Sequence, residues 1–285
     1  EFSSGDPENP VYKPENYDGK FNGPIQIRYA LGNSINITAV KMAALTGIKN
    51  VMELGFEMGI STWQPTDENM RNVGLSIALG GREVKMLELA SAYGVFATGG
   101  LRNDPVSILK VTNTQNKTLY EYRKTDGRKV LSPQIAYLIT NILSDNSART
   151  LAFGPNSYLV IPGKTVAVKT GTTDKKRDNW TFGYTSSFVV GVWVGNNDNT
   201  PMSYVASGVT GVEAPSIFSI SEVSLRAKST ARASRLLVLR VRTEQALVIT
   251  AGAMMNESAE KGLNWGSMEE GSPAPPCGWG RLGRV

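Results

Sequence analysis

The sequence predicts an α+β fold: helices first, then antiparallel strands at short spacing. Three observations carry this. Apolar residues recur at a helical period through much of the first 143 residues. Three β-branched or aromatic runs then follow one another between Val166 and Val194. Only short Gly-, Asn- and Asp-containing breaks separate those runs, too short for the crossovers that parallel strands need.

In chain order, residues 1–24 are rich in Pro, Gly, Asn and Asp and read as loop. Ile25–Leu31 begins a helical pattern that breaks at Gly32-Asn33-Ser34, and Thr38–Leu45 resumes it, with Val40, Ala43 and Ala44 spaced for one face. Gly47 is a stop, and Val51–Met58 fits another short helix ended by Gly59. Glu83–Thr98 is the clearest amphipathic helix, with Val84, Leu87, Ala90, Tyr93, Val95 and Ala97 near a 3.6-residue period and Gly99-Gly100 to end it. Val106–Val111 and Thr118–Tyr122 form a hairpin across Asn113–Asn116. Ser132 caps a helix with Pro133 in its first position, running to about Leu143. The strands are Val166–Val168, Trp180–Tyr184 and Phe188–Val194.

Composition excludes several chemistries. The 285 residues contain no histidine, which removes Ser-His-Asp and Cys-His catalysis and the usual zinc sites. A single cysteine, Cys277, forbids an intrachain disulfide. The net charge of +5 is mild and gathers into no stripe of the kind that binds nucleic acid. No run of about eighteen apolar residues is present, and no signal peptide opens the chain. The start reads as the middle of a loop, so the chain reads as a fragment and any targeting segment is expected upstream.

One chemistry that survives is acyl transfer to a serine with lysine in place of histidine. Its three-part signature is S-x-x-K, S-x-N and K-T-G. Lys169-Thr170-Gly171-Thr172-Thr173 supplies the third part. A lysine ammonium there draws in a substrate carboxylate and biases nearby protons. Thr170 and Thr172 alternate along a strand and so present their hydroxyls on one face. Gly171 lets a substrate backbone come close. A strand N–H just beyond can donate to an oxyanion. The tripeptide alone reads more readily as an edge strand with a solvated lysine.

The surroundings decide. The stretches Tyr17–Pro24, Ile142–Arg149, Lys169–Asp174, Arg177–Thr185 and Val190–Asp198 resemble the bifunctional (class A) penicillin-binding proteins over residues 10–215. The resemblance implies a serine β-lactamase/transpeptidase-like fold with a helical subdomain. It implies a D,D-transpeptidase that acylates its serine with D-Ala-D-Ala stem peptides of peptidoglycan, without cofactor or metal. β-Lactams are then expected to be inhibitors, and the outer face of the bacterial cell membrane the place of action. A glycosyltransferase domain and a membrane anchor are expected upstream.

S-x-N occurs twice. Ser144-Asp145-Asn146 reads as a helix-ending turn whose Asp and Asn bond local backbone. Ser34-Ile35-Asn36 lies well before Lys169, where the family places the motif. By resemblance, Ser34 relays a proton to the leaving amine and Asn36 bonds the substrate's peptide amide. No S-x-x-K precedes Ser34. Ser107-Ile108-Leu109-Lys110 has the letters but lies on an expected strand, whereas the signature needs a helix turn to bring serine and lysine together. Ser258-Ala259-Glu260-Lys261 falls in a segment of altered composition. The nucleophile is therefore expected upstream of Glu1, and this chain alone is expected to be inactive.

Residues 1–217 are expected to form the C-terminal part of the transpeptidase domain. After Ala214-Pro215-Ser216-Ile217 the likeness stops, and residues 218–285 read as a poorly structured tail, consistent with a frameshift. Two other readings stay open. One is a serine β-lactamase or D,D-carboxypeptidase. The other is a peptide-binding module without turnover.

Overall fold

The computed structural model describes residues 2–3, 11–71, 73–123, 125–173, 176–196, 198–202, 233–240 and 248–254. They belong to one compact unit, Glu1–Met254. In chain order the elements are β1 (Phe2–Ser3), β2 (Val11–Tyr12), α1 (Ile27–Gly32), α2 (Asn36–Thr46), α3 (Ile48–Glu57), α4 (Asp67–Met70) and α5 (Met86–Ala97). There follow β3 (Leu101–Arg102), β4 (Lys110–Thr112), β5 (Thr118–Glu121), β6 (Arg128–Lys129), α6 (Pro133–Ser144) and α7 (Thr150–Phe153). The last are β7 (Ala167–Thr172), β8 (Asp178–Tyr184), β9 (Phe188–Gly195), β10 (Ala233–Arg240) and β11 (Val248–Met254). The predicted α+β arrangement is the observed one.

The main sheet is antiparallel, in the order β11-β10-β9-β8-β7, so β7 is an edge strand. Register pairs Lys169 with Phe182, Thr170 with Thr181 and Gly171 with Trp180. One face of the sheet meets α5 and α6. Ala90, Ala97, Leu143, Ala167, Phe182, Tyr184 and Val189 form that core, and burial of this apolar surface is the main force holding helices to sheet. Tyr93 of α5 stacks on Phe182 with ring centroids 4.8 Å apart. On the opposite face Val166 and Val168 pack with Leu159.

The helices before α5 have their own core. Val40 and Ala43 of α2 meet Leu75, with Ile48 and Val51 of α3 packed against them. Met58 and Ile60 join that region to Ala92 and Val95 of α5. α6 begins as its sequence predicts: the Ser132 hydroxyl accepts from the Ile135 N–H, and Pro133 sits where no helical donor is needed.

Two features differ from the sequence expectation. The first is a matter of bounds: β7 continues past Val168 through Lys169–Thr172, in keeping with the strand alternation expected of Thr170 and Thr172, because Thr172 still pairs with Asn179 and the Thr173 N–H still bonds the Asp178 carbonyl at 3.0 Å. In residues 218–285, two stretches are strands: β10 pairs along all of β9, and β11 pairs with β10. The rest of that segment, with Cys277 and Ser258–Lys261, lies outside the described residues.

Among the described residues, no helix is long and apolar enough to cross a membrane. Nor do three or more His, Cys, Asp or Glu side chains gather to hold a metal ion among them.

Candidate active site

Strand alternation sets the geometry of the motif. Ala167, Lys169 and Gly171 face α5 and α6, whereas Val168, Thr170 and Thr172 face the other way. Lysine and threonines thus come from opposite faces and can meet only around the open edge of β7, rather than forming one flat wall. The lysine turns to that edge. Its Nζ donates to the Thr170 carbonyl at 2.6 Å. That carbonyl therefore points away from β8, and by the antiparallel alternation so do the N–H groups of Thr170 and Thr172. The edge thus offers a row of backbone donors beside a cation.

Lys169 Nζ also donates to Ser34 Oγ at 2.7 Å, joining two motifs 135 residues apart. With Nζ as the donor, the Ser34 hydroxyl hydrogen remains available to another acceptor. Burial pushes the Lys169 amine down to about 8, and the nearby Arg149 charge pushes in the same direction. The edge strand of the plain alternative is present, and its lysine is partly exposed, with the amine bonded to Ser34 and to the Thr170 carbonyl.

The loop between α1 and α2 is built to place Ser34. Ser34 itself has φ 58°, a left-handed conformation that few side chains accept without external support. Support comes from its neighbours. Asn33 Nδ2 donates to the Ala148 and Tyr29 carbonyls, both at 2.8 Å, and its Oδ1 accepts from the Ala152 N–H at 2.8 Å. At Gly32 a Cβ would stand 2.4 Å from the Ala148 carbonyl oxygen, so only glycine allows this approach.

Asn36 opens α2 two residues on, but its Nδ2 donates to the Glu15 carbonyl at 2.9 Å. Asn16 completes that tie by accepting from the Ile37 N–H at 3.1 Å. Two residues after Ser34, Asn36 thus has its amide nitrogen committed to the Glu15 carbonyl. Thr172 Oγ1 accepts from Asn179 Nδ2 at 3.3 Å. Gly171 has no backbone or packing need to be glycine: its φ is not positive, and a Cβ would meet only Trp180 Cβ at an ordinary 3.8 Å. Beyond that contact the space a Cβ would enter is open.

Ser144-Asp145-Asn146 is a turn, as its sequence predicts. Asp145 Oδ1 accepts from the Ser147 N–H at 2.9 Å, and Asn146 Nδ2 donates to the Pro155 carbonyl at 2.9 Å. Ser107-x-x-Lys110 is no helix turn; Lys110 opens β4 and pairs with Glu121 at 3.4 Å. Asn33 and Arg149 escaped the sequence reading. Asn33 could have been suspected from its place directly before the S-x-N letters. Nothing local marks Arg149 as buried.

The description "Penicillin binding protein transpeptidase domain" matches residues 3–211. Penicillin-binding protein 1A of Clostridium acetobutylicum is 31% identical over 201 residues, covering 70% of this chain and 24% of that protein. Penicillin-binding protein 2D of Bacillus subtilis is 29% identical over 209 residues, covering 70% of this chain and 28% of its own length. The chain thus spans about a quarter of the length of such relatives. Among solved structures, penicillin-binding protein 1A of Haemophilus influenzae superposes with a TM-score of 0.62 at 21% identity, over 81% of this chain and 39% of that one. The PonA1 protein of Mycobacterium tuberculosis in complex with penicillin V gives 0.59 at 21% identity, over 76% of this chain and 63% of that one. Both likenesses concern the fold.

Proposed function

We infer the role of this chain from the premise that it belongs to the penicillin-binding protein transpeptidase family. It supplies the carboxylate-binding edge and the proton relay of a peptidoglycan D,D-transpeptidase. The observation that carries this reading is the 2.7 Å bond between Lys169 Nζ and Ser34 Oγ. Two remote motifs of a histidine-free acyl-transfer signature meet there and nowhere else among the described residues.

The chemistry follows from the atoms present. A D-Ala-D-Ala stem lies along the open edge of β7, its terminal carboxylate near Lys169 and the hydroxyls of Thr170 and Thr172. The Thr172 N–H faces the acyl oxygen as negative charge develops there. Room at Gly171 admits the substrate backbone. When the acyl group passes to a serine, the C–N bond breaks and the leaving amine takes the Ser34 hydroxyl proton. Lys169 refills Ser34 from its ammonium, and the proton that the attacking serine loses as its C–O bond forms restores that ammonium. Asn36 joins by releasing the Glu15 carbonyl in favour of the substrate's peptide amide. Among the described residues no second serine–lysine pair stands at this site, so the reading assigns the nucleophile to sequence outside them. In the same reading β-lactams occupy the edge as substrate mimics. The domain acts on the outer face of the cell membrane, within a longer parent carrying an anchor and a glycosyltransferase domain.

The test is binding without acylation. A D-Ala-D-Ala peptide or penicillin titrated into the labelled chain should shift the amide resonances of Ser34, Thr170 and Thr172. A fluorescent penicillin should leave no covalent label after denaturation. Unmoved resonances at millimolar ligand would refute the binding role, and a covalent adduct would show that the chain contains its own nucleophile.

A further inference from the structure

We propose that Asn179 is a positioning residue for Thr172, its buried amide holding the Thr172 hydroxyl so that the hydroxyl hydrogen is left for a substrate carboxylate at the open edge of β7. Asn179 stands directly across from Thr172 in the pairing of β8 with β7. It is 0% exposed. Its Nδ2 donates to Thr172 Oγ1 at 3.3 Å. A hydroxyl oxygen that accepts such a bond keeps its own hydrogen for another acceptor. The side of β7 away from β8 is open, and there Lys169 Nζ already stands against the backbone. The reverse orientation of the amide would instead draw the hydroxyl hydrogen inward, so the two orientations predict opposite effects on binding.

Asn179 is polar against its surroundings. Strands disfavour asparagine, and its partner on β9 is Val194, itself 1% exposed. Its Oδ1 is enclosed without a partner among the described residues, a cost that an apolar side chain would avoid. The strand end does not need Asn179 as a fastener. Asp178, one residue earlier and on the opposite face, accepts from Thr173 Oγ1 at 3.0 Å and from Trp193 Nε1 at 2.8 Å. The Asp178 N–H in turn donates to Thr173 Oγ1 at 2.9 Å. The next pair along the strands gives the contrast. Thr170 lies across from Thr181, whose Oγ1 is enclosed without a partner among the described residues, so Thr181 does not orient the Thr170 hydroxyl. Of the two threonines, Thr172 is the one whose hydroxyl is held from behind.

The inference rests on the reading of the β7 edge as a carboxylate site, and its experiment separates the two. Binding of a D-Ala-D-Ala peptide and of its C-terminal carboxamide is titrated by amide resonances in the unsubstituted chain, Asn179→Val, Thr172→Val and the double variant. Asn179→Val should weaken binding of the acid by about threefold or more, the loss of one modest hydrogen bond, and leave the carboxamide unchanged. In the Thr172→Val background the same substitution should cost nothing further, because the hydroxyl it acts through is gone. Unchanged or tighter binding of the acid by folded Asn179→Val overturns the proposal, tighter binding marking the reverse amide orientation. A loss that persists in the Thr172→Val background overturns it too, as does an equal loss for the carboxamide, since both mark general damage to the site. Asn179→Ala is the second variant. Loss of the fold in both counts against the proposal, because a structural asparagine would then account for the burial. An unsubstituted chain that does not prefer the acid refutes the carboxylate site, and this inference with it. Preference for the acid that Asn179→Val leaves intact refutes this inference alone.

Discussion

At the residue scale, Ser34 shows how a side chain's role can conflict with its backbone. Its φ of 58° costs a non-glycine residue about 1–2 kcal/mol. That cost is offset by the ties of Asn33 to Ala148 and Ala152 and by the bond to Lys169. Ser34→Gly should relieve the strain while losing one hydrogen bond worth about 1 kcal/mol, so stability should change by less than about 1 kcal/mol. Ser34→Val keeps the strain, adds a β-branched side chain and removes the acceptor from a partly buried amine, so it should cost about 2–4 kcal/mol. Urea unfolding of the two variants compares them directly, and equal losses would show that the left-handed conformation is unimportant. The letters Ser34-Ile35-Asn36 and their place before Lys169 were legible in the sequence. The strained backbone, the Asn33 bolt and the capture of Asn36 by Glu15 were not, since each depends on segments distant in the chain or on loop geometry without periodicity.

At the scale of elements, the predictable ones have strong local signals. α6 was readable because Ser132-Pro133 is both a cap and a preferred first turn. β8 and β9 were readable from aromatic and β-branched runs. β10 was not, since Ala233–Arg240 stands in a Ser/Ala/Arg-rich stretch and gains its structure from pairing along the free side of β9. The α5–β8 contact was also hidden, because it depends on Gly191 lying across from Phe182. A Cβ at Gly191 would stand 2.4 Å from the Phe182 ring, which is itself stacked on Tyr93. Gly191→Ala should therefore push Phe182 out of register with α5 and cost about 1–3 kcal/mol, the usual range for overpacking. Near-UV circular dichroism should lose aromatic intensity in step with that destabilisation. An unchanged spectrum would mean the ring can yield without disturbing the stack.

For the whole molecule, the buried titratable groups predict how stability follows pH. Lys169 titrates near 8 in the folded chain against 10.5 when free, so between those values the unfolded chain binds more protons. Stability should therefore rise with pH across that interval, because the charged amine is disfavoured inside the fold and its cost is fully present below about pH 8. Tyr184 is held up at about 12 and Tyr93 well above its ordinary value of 10.0, both by burial. For these two the unfolded chain loses its protons first, so stability should fall as pH climbs past 10. The opposing slopes place a maximum near pH 10, unusually alkaline for a domain whose carboxylates are mostly exposed. From pH 7 to 10 the lysine alone should add at most about 2–3 kcal/mol, since each tenfold difference in proton affinity between folded and unfolded chain is worth about 1.4 kcal/mol. Lys169→Met should flatten the rise below pH 10 and leave the fall above it. Denaturant titrations at half-unit pH intervals separate the two limbs. A rise that persists in Lys169→Met would locate the alkaline stabilisation in some other group and remove the strand lysine's buried charge from the account.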